Sequence, residues 1–292
     1  KDLGVEVHVF DRDALQSMGA VALLGVAQGS LCPPYMVTLV WKGRHDHKHP
    51  IALVGKGVTF DSGGLSLKPS KAMEPMISDM AGAAAVLGTM YALAKQKSHS
   101  YVVGTLALVE NMPSGSAQRP SDIVKSLSGQ TIQVLNTDAE GRLILADALW
   151  YTQETYRPQA MVDIATLTGA ISVALGNQYA GLFSNHDGLS QELSHAGECT
   201  DEKVWRMPLG EAYDKSLDCD VADMKNISDG SFGAGSITAA QFLQRFVGNT
   251  PWAHLDVGGM DIVSSDQPLV PKGYNAFGIR LFERWIHQRQ AA

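Results

Sequence analysis

The stretch IALVGKGVTFDSGG, residues 51–64, places a short apolar run directly before a glycine-rich segment. We predict a β-strand at residues 51–54, because an apolar run of this length before turn residues is typical of a buried strand. The four glycines in residues 55–64 indicate tight turns and close approach of the backbone. Lys56 does not complete a phosphate-binding loop, since Pro50 stands where GxxxxGK[ST] requires its first glycine.

Apolar runs of this kind alternate with helical patterns along the chain, which predicts an α/β fold. We expect three layers, α/β/α, around a central mixed, largely parallel and twisted sheet. The predicted strands cover residues 5–10, 35–41, 51–54, 101–109, 131–135, 160–164, 180–183 and 252–256. The predicted helices cover residues 12–17, 73–97, 143–155, 189–199, 211–217, 236–246 and 277–289. No linker or repeat divides the chain, so we expect one domain over residues 1–292.

The charge balance, the cysteines and the apolar runs exclude several classes of protein. The 23 basic and 30 acidic residues give a net charge of −7, which argues against nucleic acid or an anionic membrane as a partner. The three cysteines include no CxxC pair, which favours a reducing compartment, and we expect a cytoplasmic protein. No apolar run approaches the roughly 18 residues of a membrane span.

Two histidine-containing segments have a metal-binding and a structural interpretation. Residues 44–49, RHDHKH, lie between two predicted strands, so we favour an exposed hairpin tip over a metal site. His254 lies in an apolar predicted strand, where a hydrogen-bonded core histidine is the better interpretation.

The motif NTDAEGRL, residues 136–143, joins a predicted strand to a predicted helix. Asp138 and Glu140 are two residues apart, and in extended chain they project to the same side and can reach one metal centre. Sites of open α/β sheets form at the carboxyl ends of strands. The alternative is a helix N-terminus, where the helix dipole stabilises acids.

Asp79 lies in the stretch SDMAGAAA, residues 78–85, within a predicted helix of small residues. A buried isolated charge is costly, so this acid requires a metal or a basic partner. The alternative is an exposed acid near the start of the helix.

These stretches together resemble the leucyl aminopeptidase (cytosol aminopeptidase) family over essentially the whole chain. NTDAEGRL matches the family signature at every position, and residues 54–64 match its lysine-containing motif. Further matches are Asp79-Met80 with the Gly/Ala run that follows, NMPSG at residues 111–115 and ATLTGA at 165–170. Family members carry an additional N-terminal domain. Since the chain opens at Lys1 without it, we expect the catalytic part of a longer protein.

The resemblance implies a role for each matching residue. Asp61 and Glu140 would bridge two divalent cations, Asp138 would bind one of them, and Lys56 and Asp79 would complete the other. Lys68 and Arg142 would be the catalytic residues that bind no metal. The pocket for the first side chain of the substrate would be lined by Met76, Thr166 and Gly169.

The implied reaction is removal of the N-terminal residue, preferably Leu or another large apolar residue, by a hydroxide that bridges the two metals. Oxygen ligands with one nitrogen suit Mn²⁺ or Zn²⁺, with Mg²⁺ and Co²⁺ also possible. Lys56 would bind only as the neutral amine, which a neighbouring dication favours. The resemblance supplies bicarbonate at Arg142 as the general base, which fits a site with no catalytic histidine.

The implied partners are peptides with a free N-terminus and five further copies of the chain in a homohexamer, with no membrane partner. Two other functions stay open. Paired carboxylates also suit a two-metal phosphoesterase, and a binding or scaffolding module could retain the fold.

Overall fold

The computed structural model describes residues 2–43 and 48–291. Its strands in chain order are β1 (Glu6–Phe10), β2 (Tyr35–Trp41), β3 (Ile51–Asp61), β4 (Val102–Asn111), β5 (Ile123–Lys125), β6 (Thr131–Gln133), β7 (Ala160–Ala165), β8 (Ala180–Ser184), β9 (Val204–Arg206), β10 (Met224–Lys225), β11 (Trp252–Asp256), β12 (Ile262–Val263) and β13 (Gly273–Tyr274). The helices are α1 (Arg12–Met18), α2 (Val21–Ala27), α3 (Ser70–Met73), α4 (Ala81–Lys95), α5 (Gly141–Tyr156), α6 (Gly169–Leu175), α7 (Asp187–Thr200), α8 (Glu211–Lys215), α9 (Gly235–Gln244) and α10 (Ile279–Ala291).

Within the described residues, eight strands form one mixed sheet in the order β1-β2-β4-β3-β7-β11-β8-β9. The four central strands, β4, β3, β7 and β11, are parallel to one another. Strand β2 joins β4 antiparallel on one side, and β8 joins β11 antiparallel on the other. The predicted α/β class with a mixed sheet and a parallel centre is confirmed.

Alternating side chains of the central strands build a separate core on each face of this sheet. On β3, Ala52 and Val54 belong to the core that α2, α5 and α9 cover, whereas Ile51 and Leu53 belong to the core under α4, α7 and α10. The structure therefore has the three layers expected from the sequence.

The predicted strand at residues 131–135 is shorter than expected and lies outside the main sheet. It forms β6, the middle strand of a small sheet with β10 and β5. The apolar pattern indicates an extended conformation but not which sheet the strand joins. The NTDAEGRL loop consequently follows a strand of the small sheet and not one of the main sheet.

The predicted helix at residues 73–97 is wrong at its beginning. The chain forms the short helix α3, a 3-10 turn at Met76–Ser78 and only then α4. Pro75 precedes the turn, and proline lacks the N–H group that a continuous helix requires. Asp79 therefore lies in the turn before α4, where its carbonyl oxygen accepts a bond from the N–H of Val58 at 3.2 Å.

Strands β2 and β3 do not form the predicted hairpin, because β4 lies between them. Most of the proposed tip, residues 44–47, lies outside the described residues.

One segment, Ser70–Lys95, is long and apolar enough to cross a membrane by length and composition alone. In this fold 56% of its most apolar window is buried, as is also found for core helices.

Candidate functional site

A cavity of about 390 Å³ opens at the carboxyl ends of the central parallel strands. Strand β3 ends there at Asp61, and β7 leads directly into Thr166. This is where open α/β sheets place their ligands. Of the residues predicted from the sequence, the cavity is lined by Lys56, Asp61, Lys68, Met76, Asp79, Asp138, Glu140, Thr166 and Gly169.

Glycines allow the lysine-bearing strand to lie against the neighbouring helices. A Cβ atom on Gly55 would stand 2.7 Å from the Cα of Ala83 in α4, which is too close. A Cβ on Gly141, at the start of α5, would stand 2.8 Å from the Cδ of Lys56. The lysine side chain thus occupies space that only glycine leaves open.

Lys56 is buried among oxygen atoms. Its Nζ lies 2.8 Å from Asp79 Oδ1, 2.8 Å from Glu140 Oε1 and 2.8 Å from the carbonyl oxygen of Thr166. Burial alone would lower the pKa of Lys56, but the surrounding carboxylates outweigh it and raise the pKa above its usual value. The carboxylates thus favour the protonated form of Lys56.

Lys68 bridges the other two acids. Its Nζ lies 2.7 Å from Asp61 Oδ2 and also pairs with Asp138 Oδ1. Burial opposes the charge, but the carboxylate of Asp61 and its neighbours raise the pKa of Lys68 to about 12. The group therefore stays a cationic hydrogen-bond donor at neutral pH.

The acids have the spacing of a metal centre. One oxygen each from Asp61, Asp138 and Glu140 lies within 4.8 Å of the others. Burial raises the pKa of Asp138 and of Glu140. It also raises the pKa of Asp79 well above its usual range, although Lys56 opposes this effect.

Two buried carboxylate oxygens at the site, Asp79 Oδ2 and Glu140 Oε2, have no hydrogen-bond partner among the described residues. A buried acceptor without a partner is costly and rare in a folded core. Hard divalent cations take carboxylate oxygens as ligands. The residues present therefore fit a divalent metal, with Lys56 as the nitrogen donor once it is deprotonated.

Arg142 is the one predicted site residue that does not line the cavity. It is buried in the first turn of α5, and its Nη1 donates to the carbonyl oxygen of Asn226 at 2.8 Å. Its Nε has no partner among the described residues. Burial lowers the pKa of Arg142 to about 10.

Two asparagines that the sequence did not single out as site residues hold the acidic loops. Asn111 donates from Nδ2 to Asp61 Oδ1 at 2.8 Å and to the carbonyl oxygen of Thr137 at 3.0 Å. Asn226 accepts from the N–H of Leu135 at 2.8 Å and donates to the carbonyl oxygen of Asn136 at 2.7 Å. Asn111 lies in the NMPSG motif, whereas no motif or periodic pattern in the sequence indicates a role for Asn226.

Comparison with known proteins gives consistent matches. A family model described as "Cytosol aminopeptidase family, catalytic domain" matches residues 1–282. A "Probable cytosol aminopeptidase" of Chelativorans sp. (strain BNC1) is 58% identical over 286 residues, which is 98% of this chain and 57% of that protein. Similar proteins with this name come from Ehrlichia ruminantium (strain Gardel), 58% identical over 285 residues, and Agrobacterium fabrum, 56% over 286. They cover 97% and 98% of this chain. The chain spans 57% of the length of each of these relatives.

Proposed function

Since this chain belongs to the cytosol aminopeptidase family, we propose that it hydrolyses the bond after the first residue of peptides with a free N-terminus. The observation that carries this proposal is the cavity that combines two lysines with the four acids expected from the sequence and leaves buried carboxylate oxygens without partners. Such an arrangement is suited to binding cations and to polarising a carbonyl group.

We assign the metal ligands to Lys56, Asp61, Asp79, Asp138 and Glu140. Asp61 and Glu140 would be shared between two divalent ions, Mn²⁺ or Zn²⁺, with Mg²⁺ or Co²⁺ as alternatives. When bound, a pair of such ions would make water a better nucleophile at neutral pH and would stabilise the oxyanion that forms from the carbonyl group.

Lys68 is the residue that would stabilise the reacting carbonyl. Its pKa of about 12 keeps it protonated, and the cavity wall holds its Nζ beside Asp61. A cationic donor placed at a developing oxyanion typically contributes about 2.7–4 kcal/mol to lowering the barrier.

Asp79 would restrict the reaction to N-terminal residues. Its Oδ1 accepts from Thr166 Oγ1 at 2.7 Å, while its Oδ2 has no partner among the described residues. A free α-amino group of a peptide could fill this position, whereas an acetylated amine could not. This interaction would make the enzyme an exopeptidase.

Arg142 would hold bicarbonate, which would carry the proton to the leaving amine. The buried Nε without a described partner supports an anion near this guanidinium. Because Arg142 is not part of the cavity lining, this role requires the guanidinium to reach the cavity. Bicarbonate should raise kcat of the wild type, and Arg142→Met should remove that response.

The first side chain of the substrate would enter beside Met76, Thr166 and Gly169, which all line the cavity. We propose that Leu and other large apolar residues are accepted there. We also propose a cytoplasmic homohexamer. Three free cysteines, Cys32, Cys199 and Cys219, are compatible with a reducing compartment.

The test is cleavage of leucine 4-nitroanilide by the protein with added Mn²⁺, before and after removal of metal by a chelator. We expect cleavage that requires metal and is absent with N-acetyl-leucine 4-nitroanilide. Equal rates on the acetylated and free substrates would contradict the proposal. Metal-dependent hydrolysis of 4-nitrophenyl phosphate without anilide cleavage would favour the phosphoesterase instead.

A further inference from the structure

An additional acid, Asp261, lies on the wall of the site cavity. It follows β11 after a turn in which the N–H of Met260 donates to the carbonyl oxygen of Val257 at 2.9 Å. The carbonyl oxygen of Asp261 accepts from the N–H of Asn275 at 2.7 Å. The backbone at Asp261 is thus held on both sides, and the residue is partly buried.

The carboxyl group of Asp261 has a neutral partner and no cationic one. Its Oδ2 accepts from the hydroxyl of Ser78 at 2.5 Å, and Ser78 is buried. Among the described residues, no Lys, Arg or His nitrogen lies within 4.0 Å of this carboxylate. Ser78 directly precedes Asp79 in the chain, so this bond holds Asp261 close to one member of the acidic cluster.

The cavity that Asp261 lines is also lined by small groups. Gly169 and Gly258 contribute no side chain, and a Cβ on Gly258 would stand 2.6 Å from the carbonyl oxygen of Thr168. The hydroxyl of Ser172 donates to the carbonyl oxygen of Gly258 and so stays on the wall. Met76 supplies flexible apolar surface. This part of the cavity therefore combines room, an apolar side and an acid.

We infer that Asp261 determines specificity for the first residue, and that the enzyme cleaves peptides beginning with Arg or Lys at least as well as those beginning with Leu. This inference rests on the proposed aminopeptidase function. The aliphatic part of a long basic side chain would pack against Met76, as such side chains do on apolar surfaces. Its charged end would pair with Asp261 in a charge-assisted hydrogen bond.

The charge of the site explains why Asp261 should favour only substrates with a basic first side chain. With divalent ions bound, the cavity would otherwise repel a second positive group on the substrate besides the α-amine. Asp261 offsets that repulsion where the end of a long side chain would lie. An apolar side chain gains nothing from the carboxylate, so removing the charge affects basic substrates alone.

The experiment compares kcat/KM for the 4-nitroanilides of Arg, Lys, citrulline and Leu with Mn²⁺ present. It uses the wild type, Asp261→Asn and the control Glu74→Gln. The introduced amide would keep an acceptor for Ser78 at nearly the same shape, and Glu74 is a nearby exposed acid outside the cavity lining. We expect Asp261→Asn to lower kcat/KM for Arg and Lys about tenfold, equivalent to about 1.4 kcal/mol. Values for citrulline and Leu should change less than about twofold.

Equilibrium binding provides a readout that does not depend on turnover. Calorimetry of free arginine and free leucine should show the same selective loss for arginine in Asp261→Asn, with Glu74→Gln unchanged. If Asp261→Asn does not fold, as judged by thermal unfolding, Asp261→Met serves as the uncharged variant.

The failures of the two proposals are distinguishable. Cleavage of Leu anilide with an Arg-to-Leu ratio that is the same in the wild type and Asp261→Asn would overturn this inference and leave the proposed function standing. Absence of cleavage of every anilide by the wild type would overturn both.

Discussion

Two groups of buried polar side chains differ in how completely partners satisfy their carboxylate oxygens, although the first group also contains His254 Nε2, which lacks a partner among the described residues. The core triad is Asp163, Trp252 and His254, all without exposed surface. Asp163 Oδ2 accepts from Trp252 Nε1 at 2.7 Å, and Asp163 Oδ1 lies 2.6 Å from His254 Nδ1. Both oxygens of this carboxylate are thus used, as expected for a structural role.

The other group is the site cluster, defined as Lys56, Asp61, Lys68, Asp79, Asp138 and Glu140. Here acids outnumber cations, and two buried oxygens lack partners among the described residues. The site cluster lines a cavity, whereas the core triad does not. The comparison teaches that a buried carboxylate with free oxygens beside a cavity marks a binding site, and a saturated one marks the core.

The largest effect should follow from Glu140→Gln. If Glu140 is shared between two metals as we propose, its loss should lower kcat/KM by more than the about 10–100-fold typical of residues that only support ligands. The free energy of unfolding of the protein without metal should change by less than about 1 kcal/mol. Burial already disfavours the charged form of this carboxylate, so replacing it with a neutral amide of the same shape removes little stability. Steady-state kinetics and urea unfolding measure both quantities. Activity within tenfold of the wild type would remove the distinction between the two groups.

Asp163→Ala should have the opposite result. It leaves the Trp252 and His254 donors without their partner, so the free energy of unfolding should fall by about 3–5 kcal/mol. Metal content per folded chain should not change. Asp163→Asn retains one acceptor and serves as the control with a smaller loss. A loss of metal without a loss of stability would show that the core triad is part of the site.

Asn226→Ala should weaken metal binding only indirectly, by loosening the loop that carries Asp138 and Glu140. Without the bonds to Leu135 and Asn136, affinity for Mn²⁺ should fall about 10–100-fold. The control is Asn185→Ala, which removes an exposed amide that accepts from the N–H of Trp252 at 2.8 Å and does not line the cavity. Calorimetric titration with Mn²⁺ measures the affinity. Equal affinities in the two variants would contradict a positioning role for Asn226.

Asp147 extends the comparison to a buried acid held by backbone groups alone. It accepts from the N–H of Leu23 at 2.9 Å and of Leu127 at 2.7 Å, while burial raises its pKa to about 7. The unfolded pKa is about 3.9. The folded state therefore binds the proton more tightly, and stability from this group is lost as pH rises from about 4 to about 7.

The measurement is the free energy of unfolding of the wild type and Asp147→Asn at about pH 6 and about pH 7. Asn cannot titrate, so the stability of the wild type relative to Asp147→Asn should fall by up to about 1.4 kcal/mol over that unit. A relative stability that is independent of pH would mean that the Asp147 carboxyl does not titrate in this range.

The sequence predicted the elements that alternating or continuous apolar runs define. Strands β2 and β11 were predicted to the residue, and both begin directly after a proline, Pro34 and Pro251. Strand β3 was predicted only to Val54, because Gly55 and Gly57 resemble turn residues. In the structure these glycines continue the strand. The residue at position 55 is glycine because α4 packs too close for a side chain there.

The site was predictable as far as motifs and the family resemblance extend. The resemblance named the acids and lysines that share the cavity, but it did not indicate that Arg142 lies outside the cavity lining. Asn226 and Asp261 were missed because each lies far along the chain from the motifs and has no periodic signal. Only the fold brings them to the site.

The most direct test of the account is an anomalous difference map from crystals of the protein grown with Mn²⁺. We expect two peaks roughly 3.5–4 Å apart, with Asp61 and Glu140 between them and Lys56 beside one. A single peak, or peaks away from the site cluster, would contradict it.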